Sequence, residues 1–160
     1  MYSFGVIMDP IQNIDIKTDS TVAIVEALQK NSKTYYILPE SVHMHNQKVY
    51  GKIGLLKINR RKKPFYEISN IRLKELRTLD CILFRLDPPV NEYYIQLTHI
   101  LDKVESMGVL IINSSQSLRD FNEKMLGNQL SNKILPTLIT SCLLYTSPSP
   151  RDRTRSRMPS

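Results

Sequence analysis

Short apolar runs that end in turn residues alternate with segments of helical spacing along most of the chain. The first run, Phe4–Met8 (FGVIM), stops at Asp9-Pro10, which is typical of a buried parallel strand. A helix with N-cap oxygens at Asp19–Ser20 continues through Lys30, because apolar residues recur there at helical spacing. The run Thr34–Leu38 (TYYIL) then predicts a second strand. A strand, helix and strand in this order predict a parallel sheet.

The next segment has a different pattern. Short β-like runs over residues 42–58 surround Asn46-Gln47 and Gly51–Gly54, and Pro64–Ile68 continues them, which predicts an antiparallel insert rather than another helix. The insert contains the basic run RRKK at Arg60–Lys63. We interpret this run as a solvated hairpin turn in preference to an anion site.

The second half of the chain returns to the first pattern. Asp80–Leu86 (DCILFRL) predicts a buried strand, and Asn91–Met107 a helix with one apolar face and Gly108 beyond its end. Val109–Asn113 (VLIIN) predicts a further strand, and a helical stretch begins at Ser117 and runs to about residue 130. The order predicts an α/β fold, an open doubly wound and mostly parallel sheet with a small antiparallel insert.

Composition adds few constraints beyond this fold. The 160 residues are 41% apolar and 23% charged, as in a globular domain, and no apolar run reaches the roughly 18–20 residues of a membrane span. The two cysteines, Cys81 and Cys142, and the absence of a signal-peptide pattern predict a reduced, cytoplasmic protein. The net charge of +7 alone would suggest a polyanionic partner.

Much of that charge lies in residues 142–160, CLLYTSPSPRDRTRSRMPS. The string CLLYTSPSPRD resembles the translation of a transposase sequencing adapter, and SRMPS the translation of the flow-cell primer that follows it. We therefore expect residues 142–160 to be a non-native, disordered tail. Without its four arginines and one aspartate the charge falls from 22 − 15 = +7 to 18 − 14 = +4. The case for nucleic acid loses most of its weight, and neither nucleic acid nor a membrane is expected as a partner.

Polar residues follow the predicted parallel strands, where α/β sheets bind ligands. Asp9-Pro10 ends the first strand, Arg85 and Asp87 lie at the end of another, and Asn113 ends the last. An arginine there can hold a carboxylate through two parallel hydrogen bonds. An internal ion pair between Arg85 and Asp87 is an equally open interpretation.

Motifs for other kinds of catalysis or metal binding are absent or weak in this sequence. It contains no glycine-rich phosphate loop and no GxSxG motif. His43 and His45 would share one face of a strand, but without a third ligand nearby we do not expect a metal site.

Three blocks resemble the N-terminal domain of bacterial glutathione synthetases. They are GVIMDPIQNIDIKTDST at 5–21, FRLDPPVNEYYIQLTHIL at 84–101 and INSSQSLRDFNEKM at 112–125. The resemblance covers about residues 3–141. The basic stretch 57–63 diverges from the family, and Leu86 stands where the family often has lysine.

The resemblance implies a Rossmann-like domain that precedes an ATP-grasp domain, in an ATP-dependent ligase. Such a ligase joins γ-glutamylcysteine to glycine through an acylphosphate, with ATP and Mg²⁺ as cofactors, giving glutathione, ADP and phosphate. The resemblance makes Arg85, Asp87 and Asn113 candidates for substrate binding, with Arg119 and Asn122 as weaker ones. It matches Lys124 to a lysine that reaches the nucleotide phosphates. An ion pair between Arg119 and its neighbour Asp120 is an equally open interpretation.

The resemblance also predicts how the chain is divided. Residues 1–120 would be the N-terminal domain and residues 121–141 the start of the connection into the ATP-grasp domain. No catalytic residue and no metal ligand is expected within this chain, which should be an inactive fragment of a homo-oligomeric enzyme. Two alternatives stay open: a freestanding α/β module that binds an amino acid or nucleotide, and a nucleic-acid-binding protein that uses residues 57–63 and the tail.

Overall fold

A computed structural model describes residues 1–121, 125–126 and 139. Residues 1–120 form one compact unit built on a seven-stranded sheet. The strands are β1 (Ser3–Met8), β2 (Lys33–Ile37), β3 (His43–His45), β4 (Lys48–Ile58), β5 (Tyr66–Glu75), β6 (Cys81–Arg85) and β7 (Leu110–Ile112). The helices are α1 (Ser20–Leu28), α2 (Glu92–Ser106) and α3 (Ser115–Asp120), and single 3₁₀ turns lie at Ile11–Asn13, Pro39–Ser41 and Leu76–Thr78.

The sheet combines a parallel half and an antiparallel half. Its strand order is β3-β4-β2-β1-β6-β7, with β5 also paired to β4. The pairs β1–β2, β1–β6 and β6–β7 are parallel, whereas β4 is antiparallel to β2, β3 and β5. The α/β class and the antiparallel insert are therefore confirmed.

The two faces of the sheet carry separate cores, as successive strand residues point to opposite sides. On β1, Val6 packs in the cluster that contains Val22 and Val25 of α1. Its neighbour Ile7 packs in the other cluster, with the buried face of α2, which includes Leu101. Helices thus cover both faces, which makes the sheet doubly wound and brings its carboxyl edge and the start of α1 to one side of the unit.

Helix ends follow the sequence closely where a capping residue marks them. The Asp19 side chain accepts from the Val22 N–H at the start of α1, and Asn91 accepts from the Tyr94 N–H at the start of α2. Gly108 follows α2 with φ of 94°, the left-handed conformation that ends many helices.

Three details differ from the predictions. β4 and β5 have 11 and 10 residues and form one long hairpin, where the sequence suggested short runs. α3 begins at Ser115 rather than at Ser117. α3 ends at Asp120, because Phe121 is not helical, so the predicted continuous helix to residue 130 is interrupted there; beyond it only Met125 and Leu126 of that stretch are described, and both are helical.

Cys81 is a buried free thiol, and burial raises its pKa, with a further contribution from Asp80. The other cysteine, Cys142, lies outside the described residues, together with the rest of the tail. Across the part of the chain that the structure describes, none of the helices has the length and apolar character needed to cross a membrane.

Candidate functional site

A cavity of about 440 Å³ lies where the carboxyl ends of β1 and β6 meet the start of α1. The parallel register places Met8 beside Arg85, so the two strands end together. The cavity is lined by residues from these strand ends and from the loop between β1 and α1: Met8, Asp9, Asn13, Ile14, Asp15, Thr18, Asp19, Ser20, Thr21, Arg85 and Asp87. This is the edge at which the sequence predicted a ligand site.

Arg85 is half-buried on one wall of this cavity. Its Nε donates to Thr21 Oγ1 at 3.3 Å and its Nη2 donates to Ser20 Oγ at 2.9 Å. Both hydroxyls belong to the first turn of α1, so the helix fixes the plane of the guanidinium. The other N–H groups of Arg85 have no hydrogen-bond acceptor among the described residues and are available to an anion.

Asp87 is exposed and lines the same cavity. Its backbone N–H donates to Asp9 Oδ2 at 2.9 Å, which ties the loop after β6 to the end of β1. Among the ion pairs of the described residues there is none between Arg85 and Asp87. The guanidinium and the Asp87 carboxylate therefore act as separate groups on the cavity wall.

The loop between β1 and α1 supplies groups that were not predicted as site residues. Asp15 accepts from the Lys17 backbone N–H at 3.0 Å and from Thr18 Oγ1 at 3.1 Å, and these two bonds lower its pKa. Asp19 had been recognised only as a helix cap. A better signal was the position of this loop, directly after the first strand of a doubly wound sheet.

More negative than positive side chains line the cavity. Four carboxylates line it, those of Asp9, Asp15, Asp19 and Asp87, against the single guanidinium of Arg85. The start of α1 adds partial positive charge beside Arg85. A ligand that fits this distribution carries an ammonium group toward the carboxylates and a carboxylate toward Arg85, as an amino-acid head does.

The other candidate residues lie elsewhere. Asn113 does not line the cavity, and its Nδ2 donates to the Phe84 carbonyl at 2.9 Å, joining the ends of β7 and β6. Arg119 donates from Nη2 to Asp102 Oδ2 of α2 at 2.6 Å, so its ion-pair partner is Asp102 and not Asp120. Asn122 and Lys124 lie outside the described residues.

The described residues contain no group of three or more His, Cys, Asp or Glu side chains arranged to hold a metal ion. His43 and His45 lie on β3 and are exposed. His43 Nδ1 is 2.8 Å from the Ser41 carbonyl, and its ring stacks on Tyr50 with centroids 5.9 Å apart.

Comparisons with known proteins agree with the three sequence blocks. The family described as "Prokaryotic glutathione synthetase, N-terminal domain" matches residues 2–119. A glutathione synthetase of Coxiella burnetii is 37% identical over 138 residues, 86% of this chain and 43% of that protein. One of Buchnera aphidicola subsp. Baizongia pistaciae is 40% identical over 141 residues, 87% of this chain and 44% of that protein.

A third relative, the glutathione synthetase of Escherichia coli O127:H6, is 36% identical over 141 residues, 88% of this chain and 45% of that protein. The chain thus spans less than half the length of the curated relatives it matches. With the family match extending over residues 2–119, nearly all of the compact unit, the chain belongs to the prokaryotic glutathione synthetase N-terminal domain family.

Proposed function

We propose that this chain is the substrate-binding N-terminal part of a glutathione synthetase, and that its candidate site holds the glutamyl end of γ-glutamylcysteine. The observation that carries the proposal is that one cavity at the carboxyl edge contains both the Arg85 guanidinium and four carboxylates. Only some of the N–H groups of this guanidinium are used in the bonds to α1. The γ-glutamyl residue has a free ammonium and a free carboxylate on one carbon, and these two charges match the two kinds of charged group that line the cavity.

In this proposal each group of the site has a distinct role. The carboxylate of the ligand accepts from the N–H groups of Arg85 that do not bond to α1, and the start of α1 adds favourable charge. The ammonium donates to carboxylates that line the cavity, among which Asp87 is exposed and Asp9 is already fixed by one bond. The site thus binds and orients a peptide, and none of its groups is assigned a chemical step.

ATP and Mg²⁺ are proposed as cofactors of the whole enzyme, which would be an ATP-dependent, cytoplasmic ligase with glycine as its second substrate. Among the described residues no three His, Cys, Asp or Glu side chains are arranged to hold a metal ion, so none of them is assigned to Mg²⁺. Lys124 is proposed to contact the nucleotide. Since the chain spans less than half of its relatives, we also propose that it forms no glutathione by itself.

Titration calorimetry of the 160-residue chain with γ-glutamylcysteine tests the binding proposal. Arg85→Gln should weaken binding about ten- to a hundredfold, the usual effect of losing hydrogen bonds from a charged group. Arg72→Gln, an exposed arginine of β5, makes the same change in charge outside the cavity and should leave binding unchanged. Equal affinities of the two variants would overturn the proposal.

Two further measurements complete this test. Arg85→Lys keeps the charge but loses the planar fork, and should bind with intermediate affinity. Circular dichroism of each variant checks that the loss of the bonds to Ser20 and Thr21 has not unfolded the chain. Formation of glutathione from γ-glutamylcysteine, glycine, ATP and Mg²⁺ by this chain alone would contradict its proposed inactivity.

The second candidate function is a freestanding module that binds a free amino acid. It is favoured by the same charge distribution, since any amino acid has an ammonium and a carboxylate on one carbon. Free glutamate should bind much more weakly than γ-glutamylcysteine if the chain belongs to a ligase for the dipeptide. Equal affinities for the two ligands would favour the module.

A further inference from the structure

A second cavity, of about 840 Å³, lies at the opposite end of α1 from the candidate site. It is formed by the end of α1, the last residues of β4 and the loop that joins β4 to β5. α1 has nine residues and is therefore about 13 Å long, so the two cavities are separate. We call the second one the hairpin cavity.

The hairpin cavity is basic. Four lysines line it, Lys30, Lys57, Lys62 and Lys63, against one acid, Glu67. All four lysines are exposed, and among the ion pairs of the described residues none involves them. Their charge is thus available to a ligand.

Neighbouring charges do not cancel this excess. On the adjacent α1, the Glu26 carboxylate is 2.9 Å from Nε of Arg60, so this acid is already paired. Arg61 is exposed in the same loop and adds another cation beside the cavity. The local charge around the hairpin cavity is therefore clearly positive.

The loop that carries these lysines is held in place by hydrogen bonds. The Asn59 N–H donates to the Phe65 carbonyl at 2.7 Å, and the Lys62 N–H donates to the Asn59 carbonyl at 3.0 Å. The Gln29 side chain then fixes the base of the loop to α1: Nε2 donates to the Ile58 carbonyl at 2.7 Å, and Oε1 accepts from the Ile58 N–H at 2.9 Å. The cations are therefore presented on a preorganised frame, which lowers the entropic cost of binding.

Two aromatic rings complete the wall. Phe65 and Tyr66 are half-buried and lie edge to face with centroids 5.3 Å apart. They provide an apolar surface directly beside the lysines. A flat heterocycle could rest against this surface while an attached anion reaches the ammonium groups.

We propose that the hairpin cavity binds a nucleoside polyphosphate, with its phosphates on Lys30 and Lys62 and its base against Phe65. A cavity of this volume is of the size that takes one such ligand. A single pair of adjacent rings fits one base, whereas proteins that hold a nucleic-acid strand place aromatic rings along a groove. This site is independent of the peptide-binding site proposed above, and it assigns a ligand to the basic run that the sequence suggested was only a solvated turn.

Titration calorimetry of the 160-residue chain with two probes, ATP without magnesium and inorganic tripolyphosphate, tests the proposal. Lys30→Gln with Lys62→Gln should weaken binding of both probes about tenfold, because two exposed ion pairs are lost. Lys33→Gln with Lys52→Gln is the matched control, since these exposed lysines make the same change in charge outside the cavity. Both variants keep the arginines of residues 151–157, so any contribution from these cancels.

The variant Phe65→Leu distinguishes the contribution of the base to binding from that of the phosphates. It should weaken the binding of ATP and leave tripolyphosphate unchanged, while far-UV circular dichroism shows that the hairpin is still folded. Three results would overturn the proposal: no binding of ATP by the unchanged chain, equal losses in the two lysine variants, or equal effects of Phe65→Leu on the two probes. Tighter binding of a single-stranded oligonucleotide than of ATP would also overturn it, in favour of a nucleic-acid surface.

Discussion

Two glycines of β4 lie three positions apart and differ in the space around them. Gly51 and Gly54 are both buried and both have φ values that alanine adopts readily. A Cβ built on Gly54 would collide with Ile68 Cγ2, lie 2.9 Å from Ile71 Cγ1 and lie 3.3 Å from the Ser69 carbonyl oxygen. The register of β4 and β5 shifts at this point, and atoms of β5 lie close to Gly54.

The same Cβ on Gly51 would make only ordinary contacts. Its nearest neighbours, the methyl groups Ile37 Cγ2, Leu76 Cδ2 and Val42 Cγ2, would each be 3.4 Å away. At Gly54, by contrast, the colliding methyl sits on the β-carbon of a β-branched side chain, which has few alternative rotamers. Relief at Gly54 therefore requires a backbone shift of the hairpin.

These distances set the expected magnitudes. Gly51→Ala should stabilise the chain by about 1 kcal/mol, from the reduced entropy of the unfolded chain and one buried methyl group. Because overpacking outweighs the same gain in entropy, Gly54→Ala should destabilise the chain by a net of about 1–3 kcal/mol. The free energy of unfolding should thus rise in Gly51→Ala and fall in Gly54→Ala, relative to the unchanged chain. The two variants should differ from each other by about 2–4 kcal/mol.

Urea unfolding followed by circular dichroism at 222 nm measures this difference, since the chain has no tryptophan to report on unfolding. The midpoint should rise for Gly51→Ala and fall for Gly54→Ala, with little change in the slope. A Gly54→Ala variant at least as stable as Gly51→Ala would refute the close approach of β5 to β4 on which the reasoning depends.

Further predictions concern the helix ends and the buried polar groups. Gly108→Ala should cost about 1 kcal/mol, because φ is 94° and no atom lies near enough to compensate, and a lower melting temperature would show it. Burial raises the pKa of Tyr36 to about 12, so the folded state keeps the phenol neutral, and stability should fall as the pH rises from 10 to 12. Tyr36→Phe should flatten that part of the profile of melting temperature against pH; an unchanged slope would contradict it. Asp102→Asn should destabilise the chain by about 1–3 kcal/mol because it leaves the Arg119 guanidinium without its carboxylate, whereas Asp120→Asn should have little effect. Neither change should alter the affinity for γ-glutamylcysteine, and a loss of affinity with unchanged melting temperature would place Arg119 in the binding site instead.

The elements that the sequence located well are those with local signals. The run FGVIM and its Asp-Pro stop predicted β1 to within one residue, and the predicted cap Asp19 marked the start of α1. Each of these signals acts within a few residues of the boundary that it defines. Tertiary packing therefore had little opportunity to override them.

The length of the β4–β5 hairpin could not be predicted in the same way. β5 lies at an edge, and its two runs of alternating apolar and polar residues, Tyr66–Ser69 and Ile71–Lys74, are interrupted at Asn70, where φ is 55°. It becomes a strand because β4 provides a row of hydrogen-bonding partners. Such pairing depends on the whole sheet, so the sequence alone does not show that the two runs form one strand.

The candidate site shows the same contrast. Arg85 and Asp87, which the sequence places at the end of a buried strand, both line the cavity. Asn113 follows a strand as well, but its side chain is used to join β7 to β6. The partner of Arg119 lies 17 residues away on another helix, and no spacing rule connects the two.

The central position of β1 also determines when the unit can fold during synthesis. β1 hydrogen-bonds to β2 on one side and to β6 on the other, and Ser3 and Asp80, which meet at that second junction, are 77 residues apart in sequence. Until β6 has left the ribosome, β1 has an open edge, the kind of edge that pairs with other chains. An emerged chain shorter than about 85 residues should therefore depend on chaperones, and the late arrival of β6 covers the open edge of β1.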